Sequence, residues 1–380
     1  MTNKAHINPA MFYWGRERAG LQAGDVAKKM SLPLEKIKKW EDGEDKPTFR
    51  QAEKFSSLVN MPLGFLFLNY PPKEELPIPD LRVVDGEAPR KPSLNLMDTI
   101  KSVIQKQEWY KNYLISNESE GANIPEGFSL NSRPEDVARD IRERVAISEL
   151  KLKNINWEKY QKELHGRVER LGVLVMKAGY VGSNTRRTLD VEEFRGFAIS
   201  DPYAPVIFIN GRDARSAQLF TLFHELAHIY IGESGVSSGP NAFDRKEEVF
   251  CNQVAGEVLI SSTEFHEFWN NGENWKNNLP RISAAFHVSQ LVVARRALTL
   301  GKIGVEQYRA FHREEREAYK KKLSEGSGGN YYATTKIRNS YLLSRAVISE
   351  SFSGRMLVRD ASKMLGVKPK NLRVYAKELA

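Results

Sequence analysis

The sequence predicts a mainly α-helical protein that contains one small α+β domain. Apolar positions recur at helical spacing along most of the chain, and short β-branched or aromatic runs cluster between residues 171 and 210. Two stretches interrupt this pattern, one with six prolines at 71–93 and one rich in Gly and Ser at 324–330. We therefore expect the following order: an N-terminal helical domain at 1–70, a proline-rich linker at 71–93, a central domain at 94–323, a flexible spacer at 324–330 and a helical C-terminal domain at 331–380.

The composition is that of an ordinary globular protein. Of the 380 residues, 41% are hydrophobic and 28% are charged. No run approaches the roughly 18 apolar residues of a membrane span, and the first residues lack the layout of a secretory signal. With Cys251 as the sole cysteine, an internal disulfide is excluded, so we expect a cytoplasmic protein without a membrane partner. The net charge of +9 permits a polyanionic partner without identifying one.

Residues 21–47 have the pattern of two short helices joined by a tight turn. Ala27 is small where the helices would cross, and residues 31–33 (Ser-Leu-Pro) form the turn. A second helix is expected from Leu34 to Glu41, with Ile37 and Trp40 on its inner face.

This pattern, including its "I-x-x-W-E-x-G" ending, resembles the helix-turn-helix of the XRE or Cro/CI repressor family. The resemblance covers residues 8–68 and implies a five-helix bundle that binds double-stranded DNA. It places four charged residues on or near the surface that enters the major groove: Glu35, Lys36, Lys38 and Lys39. Ala23 stands where the family often has glutamine, and lysine favours phosphate contacts over base recognition. A helix-turn-helix used for protein binding or dimerisation is the alternative.

The central region begins with helices and continues into alternating strands and helices. Helices are expected at 94–116, from Pro134 to Ala146 with Ser132 as a cap, and from Trp157 to Leu171. The expected strands are 171–177, 194–200 and 205–210, and further helix is expected over 214–231, 245–260 and 280–323.

The segment "TLFHELAHIYI" (221–231) carries the chemistry. His224 and His228 are four residues apart, so a helix presents both imidazoles on one face, where they can bind Zn²⁺. Glu225 is placed to act as the general base that accepts a proton from water. The alternative is a pair of buried core histidines, but two histidines and a glutamate are costly to bury in such an apolar run without partners.

A catalytic zinc needs a third protein ligand. The metzincin pattern is absent, because Ile231 and Ser234 occupy its glycine and histidine positions. The following helix offers the other candidates: Asp244, which could also cap it, Glu247, Glu248, Cys251 and Glu257. Helical spacing favours Glu248 over Glu247 without excluding it.

The two segments together, "FTLFHELAHI" and "EEVFCNQVAGEVLI", resemble the ImmA/IrrE family of metallopeptidases. In that family a HExxH helix is followed by E-x-x-(A/C)-N-x-(apolar)-A, which falls on Glu248, Cys251, Asn252 and Ala255. The resemblance covers residues 150–262 and implies a thermolysin-like zinc peptidase domain with Glu248 as third ligand. Val254 and Ser261 depart from the family's usual Phe and Pro, which affects packing and leaves the chemistry intact.

The expected reaction is hydrolysis of a peptide bond, with Glu225 as the catalytic base. We expect the strand at 205–210 to pair with an extended substrate. The donor that stabilises the oxyanion stays open among five residues: Arg195, Tyr203, Arg212, His266 and His287.

The last residues also have the pattern of a helix-turn-helix. Helices are expected from Val358 to Leu365 and from Asn371 to Leu379, separated by a turn at 366–369, with residues 334–355 as packing partner. Its basic residues are Lys368, Lys370, Arg373 and Lys377. A plain helical hairpin fits the same pattern.

Together these features predict a DNA-binding regulatory zinc metallo-endopeptidase. The family resemblance implies that its substrate is a specific protein, an XRE-type repressor or an antitoxin, and XRE domains generally act as homodimers. The alternative is an antitoxin or transcriptional regulator of a toxin–antitoxin pair that acts by binding its partner without cleaving it. A scaffold with an inert zinc site is less consistent with the intact Glu225, since a structural site needs no general base.

Overall fold

The computed structural model describes residues 3–80, 92–151, 155–237, 245–323 and 337–379. The chain forms two compact units, Met1–Glu75 and Leu76–Ala380. The expected spacer at 324–330, part of the expected linker (81–91) and the candidate cap Asp244 lie outside the described residues.

The first unit is a small helical bundle. Its elements are α1 (Pro9–Arg18), α2 (Ala23–Met30), α3 (Leu34–Glu41), α4 (Phe49–Leu58) and a 3-10 helix (Leu63–Phe67). Phe12 stacks on Phe55 with ring centroids 3.7 Å apart and meets Trp40 edge-on. The turn between α2 and α3 begins at Ser31, whose left-handed backbone (φ 59°) ends α2. Apolar burial around these aromatic rings is what holds the short helices together.

The second unit is mostly helical as well. Its helices, as far as α14, are α5 (Leu94–Ser116), α6 (Pro134–Arg144), α7 (Ile147–Lys151), α8 (Trp157–Glu169), α9 (Arg215–Tyr230), α10 (Lys246–Leu259), α11 (Ser262–Phe268), α12 (Trp275–Phe286), α13 (Gln290–Thr299) and α14 (Val305–Leu323). The residue that caps α6 is Arg133, and the expected cap Ser132 instead accepts a hydrogen bond from the backbone of Ser129.

One small sheet organises this unit. It consists of β1 (Leu174–Ala178), β2 (Gly196–Ile199), β3 (Val206–Asn210) and β4 (Gly235–Ser237), in the order β1-β3-β2-β4. β1 runs parallel to β3, whereas β2 runs antiparallel to both β3 and β4. The expectation that the strand at 205–210 pairs with substrate is wrong, because neighbouring strands already occupy both edges of β3.

Each face of the sheet packs against a different set of helices. Side chains alternate along a strand, so Ile207 and Ile209 join the core formed with α9 and α10, whereas Val206 and Phe208 face α5 on the other side. The sheet is therefore buried on both faces, and its strands are almost wholly apolar, as the sequence predicts.

The described part of the C-terminal region, 337–379, shares the core of this second face. It contains α15 (Tyr341–Phe352), α16 (Val358–Leu365), a 3-10 helix (Pro369–Asn371) and α17 (Leu372–Leu379). The side chain of Glu169, at the end of α8, accepts hydrogen bonds from the Ser340 hydroxyl and from the backbone N–H of Tyr341, where α15 begins. This carboxyl group takes the place of a local cap and fixes α15 to the central helices.

Among the described residues, no helix has both the length and the apolar character required to cross a bilayer.

Candidate metal centre

Helix α9 carries three of the predicted site residues into the interior. His224, Glu225 and His228 are all fully buried, with at most 1% of each side chain exposed. The four-residue spacing brings the two Nε2 atoms to 3.3 Å from each other. An apolar helix therefore presents two imidazoles at a single point, as the sequence predicts.

The adjacent helix α10 contributes a carboxylate to the same point. The two oxygens of Glu248 lie 3.3 Å from His224 Nε2 and 3.3 Å from His228 Nε2. These three residues form a cluster that could hold a metal ion. The sequence left the choice between Glu247 and Glu248 open. In the structure, it is Glu248 that faces both histidines.

The other candidates on this helix lie elsewhere. Glu247 is half-buried, and Glu257 forms an ion pair with Arg296 and accepts a hydrogen bond from the backbone of Ser262. Burial raises the pKa of the Cys251 thiol well above its usual value, so Cys251 is a buried neutral side chain.

The dimensions of the cluster are compatible with a small divalent cation, of which zinc is an example. A tetrahedral ion with bonds of about 2.0–2.1 Å to nitrogen and oxygen has ligand atoms about 3.3–3.4 Å apart. The two Nε2 atoms are 3.3 Å apart, and each lies 3.3 Å from a different oxygen of Glu248. Both Glu248 oxygens are buried without a hydrogen-bond partner among the described residues, which a bound cation would compensate. Calcium, in contrast, requires six or more oxygen ligands.

The charges in the cluster support each other. Burial alone would raise the pKa of Glu248, but the imidazoles of His224 and His228 outweigh it and lower this pKa to about 2. Burial also acts to lower the pKa of His224, and the charge of Glu248 reverses that effect and raises it. Glu248 is therefore an anion, which suits it to bind a dication.

Glu225 is held beside the cluster by two residues that the sequence did not identify. Ser237, on β4, donates its hydroxyl to Oε1 of Glu225, while Oε2 has no partner among the described residues. Gly196, on β2, lies so close that a Cβ there would be 2.7 Å from Oε1 of Glu225 and 2.6 Å from Thr221 Cγ2. Burial raises the pKa of Glu225 to about 7. A carboxyl group with that pKa can accept and return a proton near neutral pH.

Strand β4 is the edge of the sheet next to Glu225, and its outer side is already paired. The N–H of Val236 donates to the carbonyl of Pro79 at 3.0 Å, and Asp80 forms a parallel bridge with Val236. Ile78, just before this segment, is buried in the core on that face of the sheet. Residues 78–80 therefore occupy the outer edge of β4.

The five candidate oxyanion donors are scattered. Arg195 forms an ion pair with Asp213 at 2.8 Å and lines a small pocket with Phe220 and Thr221. Tyr203 and Arg212 lie in the loops that flank β3, His266 is on the exposed side of α11, and His287 ends α12 with its ring against Tyr160. Arg195 is thus the candidate that the structure places beside α9, one turn before His224.

The predicted DNA-contacting residues lie on the first unit. Glu35, Lys38 and Lys39 are exposed on α3, and Lys36 is half-buried with its Nζ 5.9 Å from the Trp40 ring centroid. Ile37 and Trp40 are buried on the opposite face. The helix is therefore amphipathic, with Lys38 and Lys39 directed to solvent.

With the site defined, comparison with known families gives two matches. Residues 168–298 match the IrrE N-terminal-like domain. The IrrE N-terminal-like domain is a peptidase family, and its match spans the whole sheet together with His224, Glu225, His228 and Glu248. It covers about a third of the chain and agrees with the resemblance to the ImmA/IrrE family.

The second match lies at the C-terminus. Residues 339–378 match a domain of unknown function. Searches of curated proteins and of solved structures gave no significant match.

Proposed function

We propose that this protein is a zinc-dependent endopeptidase. The observation that carries the proposal is the cluster of His224, His228 and Glu248, whose ligand atoms lie within 4.8 Å of one another and next to the buried carboxyl group of Glu225. Zinc bound there would supply Lewis-acid catalysis for the hydrolysis of a peptide bond. Glu225 would accept the proton of the attacking water, and Ser237 would hold its carboxyl group in position.

The substrate we propose is a protein segment in extended conformation, from an XRE-type repressor or an antitoxin. The support for this class is the exposed lysine face of α3 in the first unit, which suits recognition of an operator or a related repressor. We further propose that this unit binds double-stranded DNA as part of a homodimer. Replacing Lys38 and Lys39 by Ala would then weaken binding and reduce its salt dependence by about one phosphate contact each.

A second candidate is an antitoxin-like regulator that binds its partner without cleaving it. One observation favours it, namely that residues 78–80 occupy the β4 edge where a substrate would pair. The two candidates differ in whether Glu225 is needed for activity.

The test combines metal content with cleavage. We expect the purified wild-type chain to contain about one zinc per chain. We also expect it to cleave members of a peptide library, with the products detected by mass spectrometry. Glu225→Gln should keep the zinc and lose cleavage by at least about 10²-fold. Glu248→Gln should lose both, whereas the matched control Glu247→Gln, on the same helix, should keep both.

Two results would contradict the proposal. Wild-type protein without bound transition metal would remove the basis for catalysis. If Glu225→Gln retained full biological activity in cells, the binding function would replace the enzymatic one.

A further inference from the structure

The C-terminal region concentrates positive charge. Residues 337–379 contain nine Lys and Arg residues against three Asp and Glu residues, a net charge of +6, whereas the whole chain of 380 residues carries +9. The peptidase site, which lies around α9 and α10, makes no use of this charge.

Helices α16 and α17 form a helix-turn-helix, and both contact α15. α16 ends at Gly366, which has a left-handed backbone (φ 63°), and a short 3-10 helix leads into α17. Both helices pack on α15, where Tyr375 of α17 shares a 2.8 Å hydrogen bond with Ser344. A Cβ at Gly366 would come within 2.8 Å of Arg338 and Ser183, so the turn is closely packed. These contacts hold α17 in place against α15.

Helix α17 is divided sharply into an inner and an outer face. Leu372, Tyr375 and Leu379 are buried, at the spacing of one helical face. The outer face carries Arg373, Val374, Lys377 and the acidic Glu378, and the preceding turn adds Lys368 and Lys370. Val374 is 46% exposed, an apolar side chain surrounded by cations.

The outer cations differ from two of the other basic residues of the same region, Arg355 and Arg359. Arg355 pairs with Glu350, and Arg359 pairs with Asp360. In contrast, the side chains of Lys368, Lys370, Arg373 and Lys377 form no ion pair or hydrogen bond with any part of the chain that the structure describes. With four cations against one acid, this surface has an excess of positive charge, which favours a polyanionic partner.

We propose that α17 is a second nucleic-acid-binding helix, which binds the major groove of double-stranded DNA. An α-helix fits the width of that groove, its cations can contact phosphates, and an exposed Val can contact a thymine methyl group. Single-stranded RNA is less suited, because its recognition depends on stacking against aromatic rings and the one aromatic residue of α17, Tyr375, is buried.

The test measures binding of the full chain to a 30-bp duplex as a function of salt. A background of Glu225→Gln, Lys38→Ala and Lys39→Ala removes cleavage and the contribution of α3. In this background we expect Arg373→Ala with Lys377→Ala to weaken binding by about tenfold or more and to lower the slope of log K against log salt by about 2. The matched control, Lys159→Ala with Lys162→Ala, removes two exposed cations from α8 and should leave both quantities nearly unchanged.

Three outcomes would overturn the proposal: equal loss of affinity in the control pair, no duplex binding in the background protein, or tighter binding of a single-stranded RNA of the same length. Circular dichroism of both variants shows whether the helices persist. If Arg373→Ala with Lys377→Ala unfolds, Arg373→Gln with Lys377→Gln replaces it, with the same expected result.

Discussion

At the scale of single residues, the site depends on how closely the sheet approaches α9. The residue at position 196 decides this distance, because the space on that side of Gly196 is already filled by Thr221, Glu225 and the backbone carbonyl of Phe208. No side chain can be accommodated there without moving the strand or the helix. Glu225 and strand β2 behind it are therefore positioned by the absence of a side chain at residue 196.

Gly196→Ala tests this dependence. The added methyl group would lie 2.9 Å from the Phe208 carbonyl oxygen and 2.7 Å from Oε1 of Glu225, so we expect a loss of about 1–3 kcal/mol in the free energy of unfolding. The cleavage rate should fall by more than the loss of folded protein explains, because Glu225 must move. Gly166→Ala, on α8, is a suitable comparison because nothing lies within 4 Å of its Cβ position. Wild-type cleavage by Gly196→Ala would contradict this reading of the contact.

A second residue, Glu169, links stability to pH. Burial raises its pKa to about 7, and its hydrogen bonds to Ser340 and Tyr341 only partly oppose that shift. Since the folded-state pKa lies above the unfolded value of 4.5, its stabilising contribution is complete below pH 4.5 and is lost as the pH rises through 7. We expect Glu169→Gln to remove about 3 kcal/mol of the change in the free energy of unfolding between pH 4.5 and pH 8. Urea unfolding at a series of pH values in this range measures that change. An unchanged pH profile would show that Glu169 ionises normally.

At the scale of elements, the sequence predicted most of the structure. The α3, α5 and α16 bounds agree with the apolar spacing, β2 and β3 fall within the predicted runs, and β1 ends one residue beyond its predicted run, at Ala178. These segments are strongly periodic or bounded by turn residues. The HExxH spacing also placed His224 and His228 on one face.

The features that the sequence could not provide depend on contacts between distant segments. Strand order is one of them: β3 looked available to a substrate until its neighbours β1 and β2 were known. The three-residue strand β4 is too short to show a period, and Ser237 meets Glu225 only through the sheet. The cap that Glu169 provides to α15 spans 172 positions and leaves no local pattern.

The segment next to β4 leads to a prediction about the activity of the proposed peptidase. A peptide can pair with the outer edge of β4 only after residues 78–80 leave it, and Ile78 anchors them by burial. We therefore expect Ile78→Ala to raise kcat/KM toward peptides several-fold. Leu76→Ala, at a half-buried position two residues earlier, is the matched control and should have a smaller effect. Reduced or unchanged cleavage by Ile78→Ala would mean that substrate binds elsewhere.

At the scale of the whole molecule, the two compact units have separate cores. Phe12, Trp40 and Phe55 anchor the first unit, whereas the second is built on the two faces of its sheet. All the proposed metal ligands belong to the second unit, and so do the two helices that carry them, α9 and α10. Any energetic effect of the metal should therefore be confined to Leu76–Ala380.

Metal removal tests this separation in the intact chain. Without a cation, the buried carboxylate of Glu248 keeps only the two histidines as partners, so the second unit should lose stability. We expect a chelator to lower the unfolding temperature of that unit by several degrees in calorimetry, and added zinc to restore it. The unfolding temperature of Met1–Glu75 should not change. In the Glu248→Gln variant, the unfolding temperature of the second unit should no longer respond to the chelator. A chelator that shifts both transitions equally would show that the two units unfold together, and a chelator without effect on either would argue against a bound metal.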